Sequence, residues 1–180
     1  AGDDIWVSGN LGDARLALDA LLGRHPLPPA LLTTARTRLE APTPRVALGQ
    51  ALRGVATSAL DVSDGLLGDL QHILDASGVG ACIDTSLTTP LIAAYADMLG
   101  SEAIFDRDYL RQCTLAGGDD YELCFTAPPQ ARDAVLQAGA ASATPVTRIG
   151  CIEAHAGLRL VDAAGEPVAA HFASFDHFAD

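Results

Sequence analysis

The sequence predicts an α+β domain in which helices are layered on a sheet. Short β-leaning segments alternate with longer segments whose apolar residues recur at helical spacing. The segments VTRIGCIEA and LRLVDAAGEPV are typical of strands and follow each other near the end of the chain, which suggests antiparallel character there. No internal repeat or long linker divides residues 1–180, so we expect one domain.

The predicted elements run along the whole chain. Before the two closing strands, strands are predicted at residues 5–9, 56–63, 79–84 and 121–126. Helices are predicted in LGDARLALDALLGR, PALLTTARTRLE, RVALGQALRG, residues 65–77, 90–99 and 106–113, and PPQARDAVLQAG. Leu66, Leu70 and Leu74 share one face of the helix over residues 65–77, so this face is expected to be buried.

Charge and composition exclude several classes of protein. The net charge is −12, and all eleven basic residues are arginine. We therefore expect no nucleic-acid partner and no anionic membrane surface as a partner. Without lysine, a Walker A loop and a Schiff-base mechanism are impossible, so any phosphate must be bound by arginine, backbone N–H groups or a metal.

The cysteines and the start of the chain favour a reduced, cytoplasmic protein. None of Cys82, Cys113, Cys124 and Cys151 forms a CxxC pair, and Cys82 and Cys124 lie in apolar segments. The opening AGDDIWVSG is not typical of a signal peptide, and no run of 18 apolar residues predicts a membrane span.

The segment ALDVSDGLLGDL places three oxygen-bearing side chains between a predicted strand and a predicted helix. In one interpretation, Ser63 or Asp64 is the N-cap of the helix and Gly65 eases the turn. In the other, Asp61 and Asp64 bind a hard cation such as Mg²⁺, because neighbouring carboxylates repel unless a cation joins them. The two roles are compatible with each other.

A second polar segment is AGGDDYEL. It is either a Gly-Gly turn whose carboxylates keep a strand edge in solvent, or a ligand site. In a ligand site, Gly117 and Gly118 would let the backbone approach the ligand closely. Asp119, Asp120 and Glu122 would then orient a polar or cationic group, or support a metal.

Two other segments carry weaker signals. Gly9 and Gly12 flank a turn in GNLGDA that lacks the GxGxxG spacing, so a plain tight turn is favoured. The tail SFDHF either docks on the core through Phe175 and Phe178 or forms an aromatic wall for a flat ring. The histidines show no zinc-site spacing.

In this order, GDDIWVSGNLGDA, ALDVSDGLLGDLQHILDASGVGACID, LAGGDDYELCFT and FDHF resemble the carboxyl-terminal half of the bacterial thiamine-monophosphate kinases. This family belongs to the superfamily of aminoimidazole ribonucleotide synthetase, and the resemblance covers nearly the whole chain. Two positions depart from the family pattern: Asp119 stands where glutamate is expected, and Ser174 where glycine is expected.

The resemblance implies a layered α/β/α domain with a mixed, partly ferredoxin-like sheet. It also implies an amino-terminal domain, absent from these residues, that dimerises and supplies most of the ATP and metal ligands. We therefore expect a homodimeric full-length protein and an isolated chain that folds but does not catalyse.

The implied reaction is direct, Mg²⁺-dependent transfer of the ATP γ-phosphoryl group to thiamine monophosphate, which yields thiamine diphosphate. By resemblance, Asp61 and Asp64 hold Mg²⁺, Asp64 is catalytic and Ser63 binds the ATP phosphates. The resemblance assigns substrate binding to Gly118, Asp119, Asp120 and Phe175. Two alternatives remain: a sister enzyme of the superfamily with another substrate, and a non-catalytic ligand-binding domain.

Overall fold

The computed structural model describes residues 1–93, 105–169 and 172. Most of the helix predicted over residues 90–99 lies outside these residues, as does the predicted substrate residue Phe175 with the rest of the SFDHF segment.

Within the described residues, six strands form one mixed sheet. They are β1 (Asp4–Ser8), β2 (Ser58–Val62), β3 (Gly80–Asp84), β4 (Glu122–Ala127), β5 (Val146–Glu153) and β6 (Gly157–Val161). Their order across the sheet is β2-β4-β1-β5-β3-β6. Neighbours are antiparallel except β3 and β6, which are parallel. The closing strands β5 and β6 therefore do not pair with each other, because β3 lies between them.

The helices lie close to their predicted positions, except for the one at Thr85–Thr88, which was not predicted. They are α1 (Asp13–Leu21), α2 (Pro29–Glu40), α3 (Val46–Ala51), α4 (Leu66–Ser77), α5 (Thr85–Thr88), α6 (Arg107–Ala116) and α7 (Arg132–Ala141). Short 3₁₀ turns occupy Thr89–Leu91 and Pro129–Ala131. Among the described residues, no helix combines the length and apolarity needed to cross a membrane.

Helices cover both faces of the sheet, which confirms the layered α+β architecture. On one face, Leu66, Leu70 and Leu74 of α4 are buried in a cluster that includes Ile5 and Val7 of β1. The opposite face buries Trp6 and Phe125 under α3 and α7. These two rings stack with centroids 6.4 Å apart. Each fully buried large apolar side chain contributes about 1.5–3 kcal/mol of transfer free energy.

A third cluster joins helices to one another. Leu16 of α1, Leu31 of α2 and Leu110 of α6 are buried together, with Cys113 among them. This cluster fixes the position of the carboxyl end of α6. The Gly-Gly loop that was predicted as a ligand site leaves from that end.

Gly150 lies in β5, between β1 and β3. It pairs with Ile5 of β1 on one side and with Ile83 of β3 on the other. A Cβ at this position would lie 2.1 Å from the backbone carbonyl oxygen of Cys82, which cannot rotate away. Only glycine therefore fits here without displacing β3.

We expect Gly150→Ala to lower the free energy of unfolding by about 1–3 kcal/mol, because the added methyl group overpacks the sheet. Gly49→Ala is the matched control: Gly49 lies inside α3, and its added Cβ would be 3.9 Å from Cδ1 of Leu123, an ordinary van der Waals distance. This control should stabilise the protein by about 0.5–1 kcal/mol. Urea unfolding of wild type, Gly150→Ala and Gly49→Ala measures both changes in stability. Equal changes in the two variants would contradict the prediction.

Candidate functional site

The two aspartate-rich segments meet at one end of the sheet. β2 and β4 are antiparallel and pair Val62 with Glu122, so the loop that leaves β2 lies beside the loop that enters β4. The N–H of Asp119 donates to the carbonyl of Ser63 at 2.9 Å. The N–H of Tyr121 donates to the carbonyl of Val62, also at 2.9 Å. Two segments that are far apart in sequence thus form one continuous surface.

The contact between the loops is tight enough to require glycine at position 118. A Cβ on Gly118 would lie 2.6 Å from the carbonyl oxygen of Ser63. Asp119 and Tyr121 have φ of 67° and 50°, a left-handed conformation that is costly for residues with a side chain. The hydrogen bonds of Asp119 and Tyr121 to β2 and its loop hold this strained backbone in place.

Neither Ser63 nor Asp64 caps the helix, so the interpretation of these residues as an N-cap is wrong. The N-cap of α4 is Gly65, with φ of 116° and no side-chain hydrogen bond. Asp69, in the first turn of α4, supplies the missing acceptor instead. Its Oδ2 accepts from the N–H groups of Ser63, Asp64 and Gly65 at 2.9, 3.0 and 3.1 Å. Burial raises the pKa of Asp69, and the bonds from these N–H groups oppose that increase.

Asp120 joins the GNLGDA turn to the same region. Its two carboxylate oxygens accept from the N–H of Gly12, the N-cap of α1, at 3.0 and 2.9 Å. The side chain is only 1% exposed. Burial raises the pKa of Asp120 well above its usual range; the N–H of Gly12 opposes this increase, and the charge of Asp13 adds to it. This carboxyl group therefore points into the protein.

Glu122 is the centre of a buried ionic cluster. Its carboxylate binds Arg38 at 2.5 Å, Arg45 at 2.6 and 2.7 Å, and the hydroxyl of Ser8 at 2.6 Å. A Cβ on Gly9 would lie 2.1 Å from Oε1 of Glu122, so the glycine makes room for the cluster. The cationic partners of Glu122 are thus arginines of the chain itself. Sequence reasoning missed both, because each arginine lies far from the aspartate segments and in no motif.

Asp61 and Asp64 differ in position. Asp61 is an exposed residue of β2 and lines an open groove of about 470 Å³. The rest of the groove wall is Pro42, Pro44, Arg45, Val46, Gly49, Tyr121 and Leu123. Asp64 is half-buried in the loop after β2. In the described part of the chain, no group of three or more His, Cys, Asp or Glu side chains is arranged to hold a metal.

The structure therefore brings together most of the predicted site residues. Ser63 and Asp64 lie on one loop, and Gly118 and Asp119 lie on the loop bonded to it. Asp120 is adjacent in sequence, but its carboxylate binds Gly12. The ligand roles assigned to these residues remain predictions. Asp69 was missed because no motif rule identifies a helical aspartate that reaches back to the preceding loop.

Comparison with known proteins identifies the family. The family described as "AIR synthase related protein, C-terminal domain" matches residues 1–163. The chain belongs to this family. It is also 39% identical to the thiamine-monophosphate kinase of Haemophilus influenzae, over 98% of this chain and 53% of that protein. The resemblance predicted from the motifs is confirmed.

Solved structures agree. Thiamine-monophosphate kinase from Stenotrophomonas maltophilia K279a is 44% identical, with a TM-score of 0.76, over 93% of this chain and 51% of that one. A structure described as "AaThiL complexed with AMPPCP and TMP" is 28% identical, with a TM-score of 0.70, over 98% of this chain and 52% of that one. The chain spans about half the length of the relatives it matches.

We expect the buried carboxyl group of Asp120 to make stability depend on pH. Because its folded-state pKa is raised, the folded protein binds a proton more readily than the unfolded chain, and this contribution is lost as pH rises above the usual aspartate range near pH 4. Asp120→Asn removes the titration. The free energy of unfolding of Asp120→Asn relative to wild type should therefore increase as pH rises. Urea unfolding of both proteins at several pH values measures this difference. The exposed Asp133→Asn is the control, and a difference that does not vary with pH would contradict the prediction.

Proposed function

We propose that this chain is the carboxyl-terminal half of an ATP-dependent thiamine-monophosphate kinase, which transfers the γ-phosphoryl group of ATP to thiamine monophosphate. The observation that carries the proposal is the junction of the two loops at Ser63. It sets two aspartate-bearing segments side by side in a chain whose curated relatives include thiamine-monophosphate kinases. A neighbour described as complexed with AMPPCP and TMP supports the same pair of substrates.

We assign Mg²⁺ to Asp61 and Asp64. Mg²⁺ in phosphate-transfer sites binds one or two carboxylates together with substrate phosphates and water. An exposed Asp61 and a half-buried Asp64, three residues apart, fit that donor set. When bound, Mg²⁺ would neutralise charge on the transferred phosphoryl group. The remaining ligands would come from the substrates and from the amino-terminal half.

The residues of this chain would act mainly by positioning. Ser63 would donate its hydroxyl to an ATP phosphate, and Asp64 would lie nearest the reacting group. Gly118 and Asp119 would border the acceptor, since their loop is bonded to that of Ser63. Direct transfer asks for alignment and charge stabilisation and not for a covalent intermediate, so a chain without lysine can contribute to it.

Two substrate assignments stand on less structure. Phe175 is proposed to contact the thiamine rings by resemblance alone. Asp120 is proposed to act on substrate indirectly, because its carboxylate binds Gly12 and supports the loop that carries Asp119. We further propose that the full-length enzyme is a cytoplasmic homodimer joined through its amino-terminal half.

The first test uses the full-length protein, with the amino-terminal half present. We expect thiamine diphosphate to form from ATP and thiamine monophosphate only when Mg²⁺ is present. Asp64→Asn should lower kcat by about 100-fold, because a ligand at the transferring phosphate is lost.

Asp133→Asn is the matched control, since Asp133 is an exposed aspartate on α7, and it should retain wild-type turnover. Undiminished turnover in Asp64→Asn would refute the role of Asp64 in the site, whereas the kinase proposal would stand. Product from another phosphate acceptor, with none from thiamine monophosphate, would assign the chain to a sister enzyme.

A second test asks whether this chain can catalyse the reaction without the amino-terminal half. We expect the isolated 180-residue chain to form no thiamine diphosphate, because most of the nucleotide and metal ligands are assigned to the other half. The measurement is single-turnover assay at high protein concentration, beside the full-length protein. Turnover by the isolated chain at a rate near that of the full-length protein would refute this expectation.

A further inference from the structure

Asp69 has an unusual environment for an acidic side chain. It lies in the first turn of α4, is 6% exposed, and turns back over the loop that precedes the helix. One oxygen, Oδ2, accepts the N–H groups of Ser63, Asp64 and Gly65 at 2.9, 3.0 and 3.1 Å. A single oxygen therefore holds three consecutive peptide groups at one point.

The same loop is held from its other side. The carbonyl of Ser63 accepts the N–H of Asp119, so both polar groups of the Ser63 backbone are bound within the protein. Fixing the backbone of Ser63 and Asp64 fixes the directions in which their side chains leave it. Because Oδ2 of Asp69 is directed at these N–H groups, Asp69 would influence a bound ligand through the position of the loop.

We propose that Asp69 is a positioning residue for phosphoryl transfer, which holds the backbone of residues 63–65 so that Ser63 and Asp64 are aimed before substrate arrives. The inference rests on the proposed function. Preorganised groups accelerate a reaction because they need no reorientation during it. Misplacement of such a group by about 1 Å can lower the reaction rate about 100-fold. A purely structural Asp69 would change stability and leave the action of Asp64 unaltered.

A double-mutant cycle in the full-length protein separates these roles. We expect Asp69→Asn to lower kcat about tenfold and to leave the KM for thiamine monophosphate within about twofold of wild type. If Asp69 acts through Asp64, adding Asp69→Asn to Asp64→Asn should cost no more than about twofold further. If the decrease in kcat of the double variant equals the product of the two single decreases, the proposal is overturned.

Asp4→Asn is the matched control. Asp4 is also a buried aspartate, 2% exposed, but it lies at the opposite end of β1 and binds Arg132 and Arg148. This variant should lose stability and retain the kcat of wild type. A loss of kcat in Asp4→Asn equal to that in Asp69→Asn would mean that buried charge in general is responsible, which also overturns the proposal.

Hydrogen–deuterium exchange supplies a readout that does not depend on activity. In wild type, the amides of residues 63–65 should exchange slowly, and Asp69→Asn should accelerate exchange in this loop while the rest of the sheet keeps its protection. Asp69→Ala, which has no acceptor, should accelerate it further; if this variant does not fold, Asp69→Asn carries the comparison. Rapid exchange of these amides in wild type would overturn the proposal.

The two hypotheses fail in different ways. Protected amides in a wild-type protein that forms no thiamine diphosphate would refute the kinase, and with it the role of Asp69 in transfer, while the anchoring of the loop would stand. If thiamine diphosphate forms but amide exchange of residues 63–65 does not change in Asp69→Asn, the kinase proposal stands and the positioning role of Asp69 is refuted.

Discussion

The backbone of Ser63 is the point on which the rest of the site depends. Its N–H is bound by the Asp69 carboxylate, and its carbonyl accepts the N–H of Asp119. These contacts join the start of α4, the end of β2 and the entry to β4. The absence of a side chain at Gly118 follows from this approach, because a Cβ there would lie 2.6 Å from the Ser63 carbonyl oxygen. The next residue, Asp119, has a left-handed backbone conformation.

Three buried carboxylates stabilise this region in three ways. Asp69 binds backbone N–H groups of its own loop, Asp120 binds the N–H of Gly12 at the start of α1, and Glu122 binds two arginines. In each case the hydrogen bonds offset part of the penalty of burying a charge. The acidic groups proposed to bind a cation are the exposed Asp61 and the half-buried Asp64.

Periodicity predicted the elements well and their pairing less well. Leu66, Leu70 and Leu74 recur at helical spacing because α4 has one buried face, and this local pattern is readable without the fold. The pairing of β6 with β3, and not with β5, depends on contacts between distant segments that leave no local pattern. Capping was mispredicted for the same reason: Ser63 satisfies the local rule for an N-cap, but the acceptor comes from Asp69.

The sequence by itself determined the family and the layered α+β class, because these depend on residue type and spacing along the chain. Only the tertiary structure decided which polar side chains point inward. Asp120 and Glu122 stand beside Asp119 in one acidic segment, yet the first binds Gly12 and the second binds Arg38 and Arg45. The side on which each carboxylate is buried depends on partners 77 to 114 residues away, so no local pattern could reveal it.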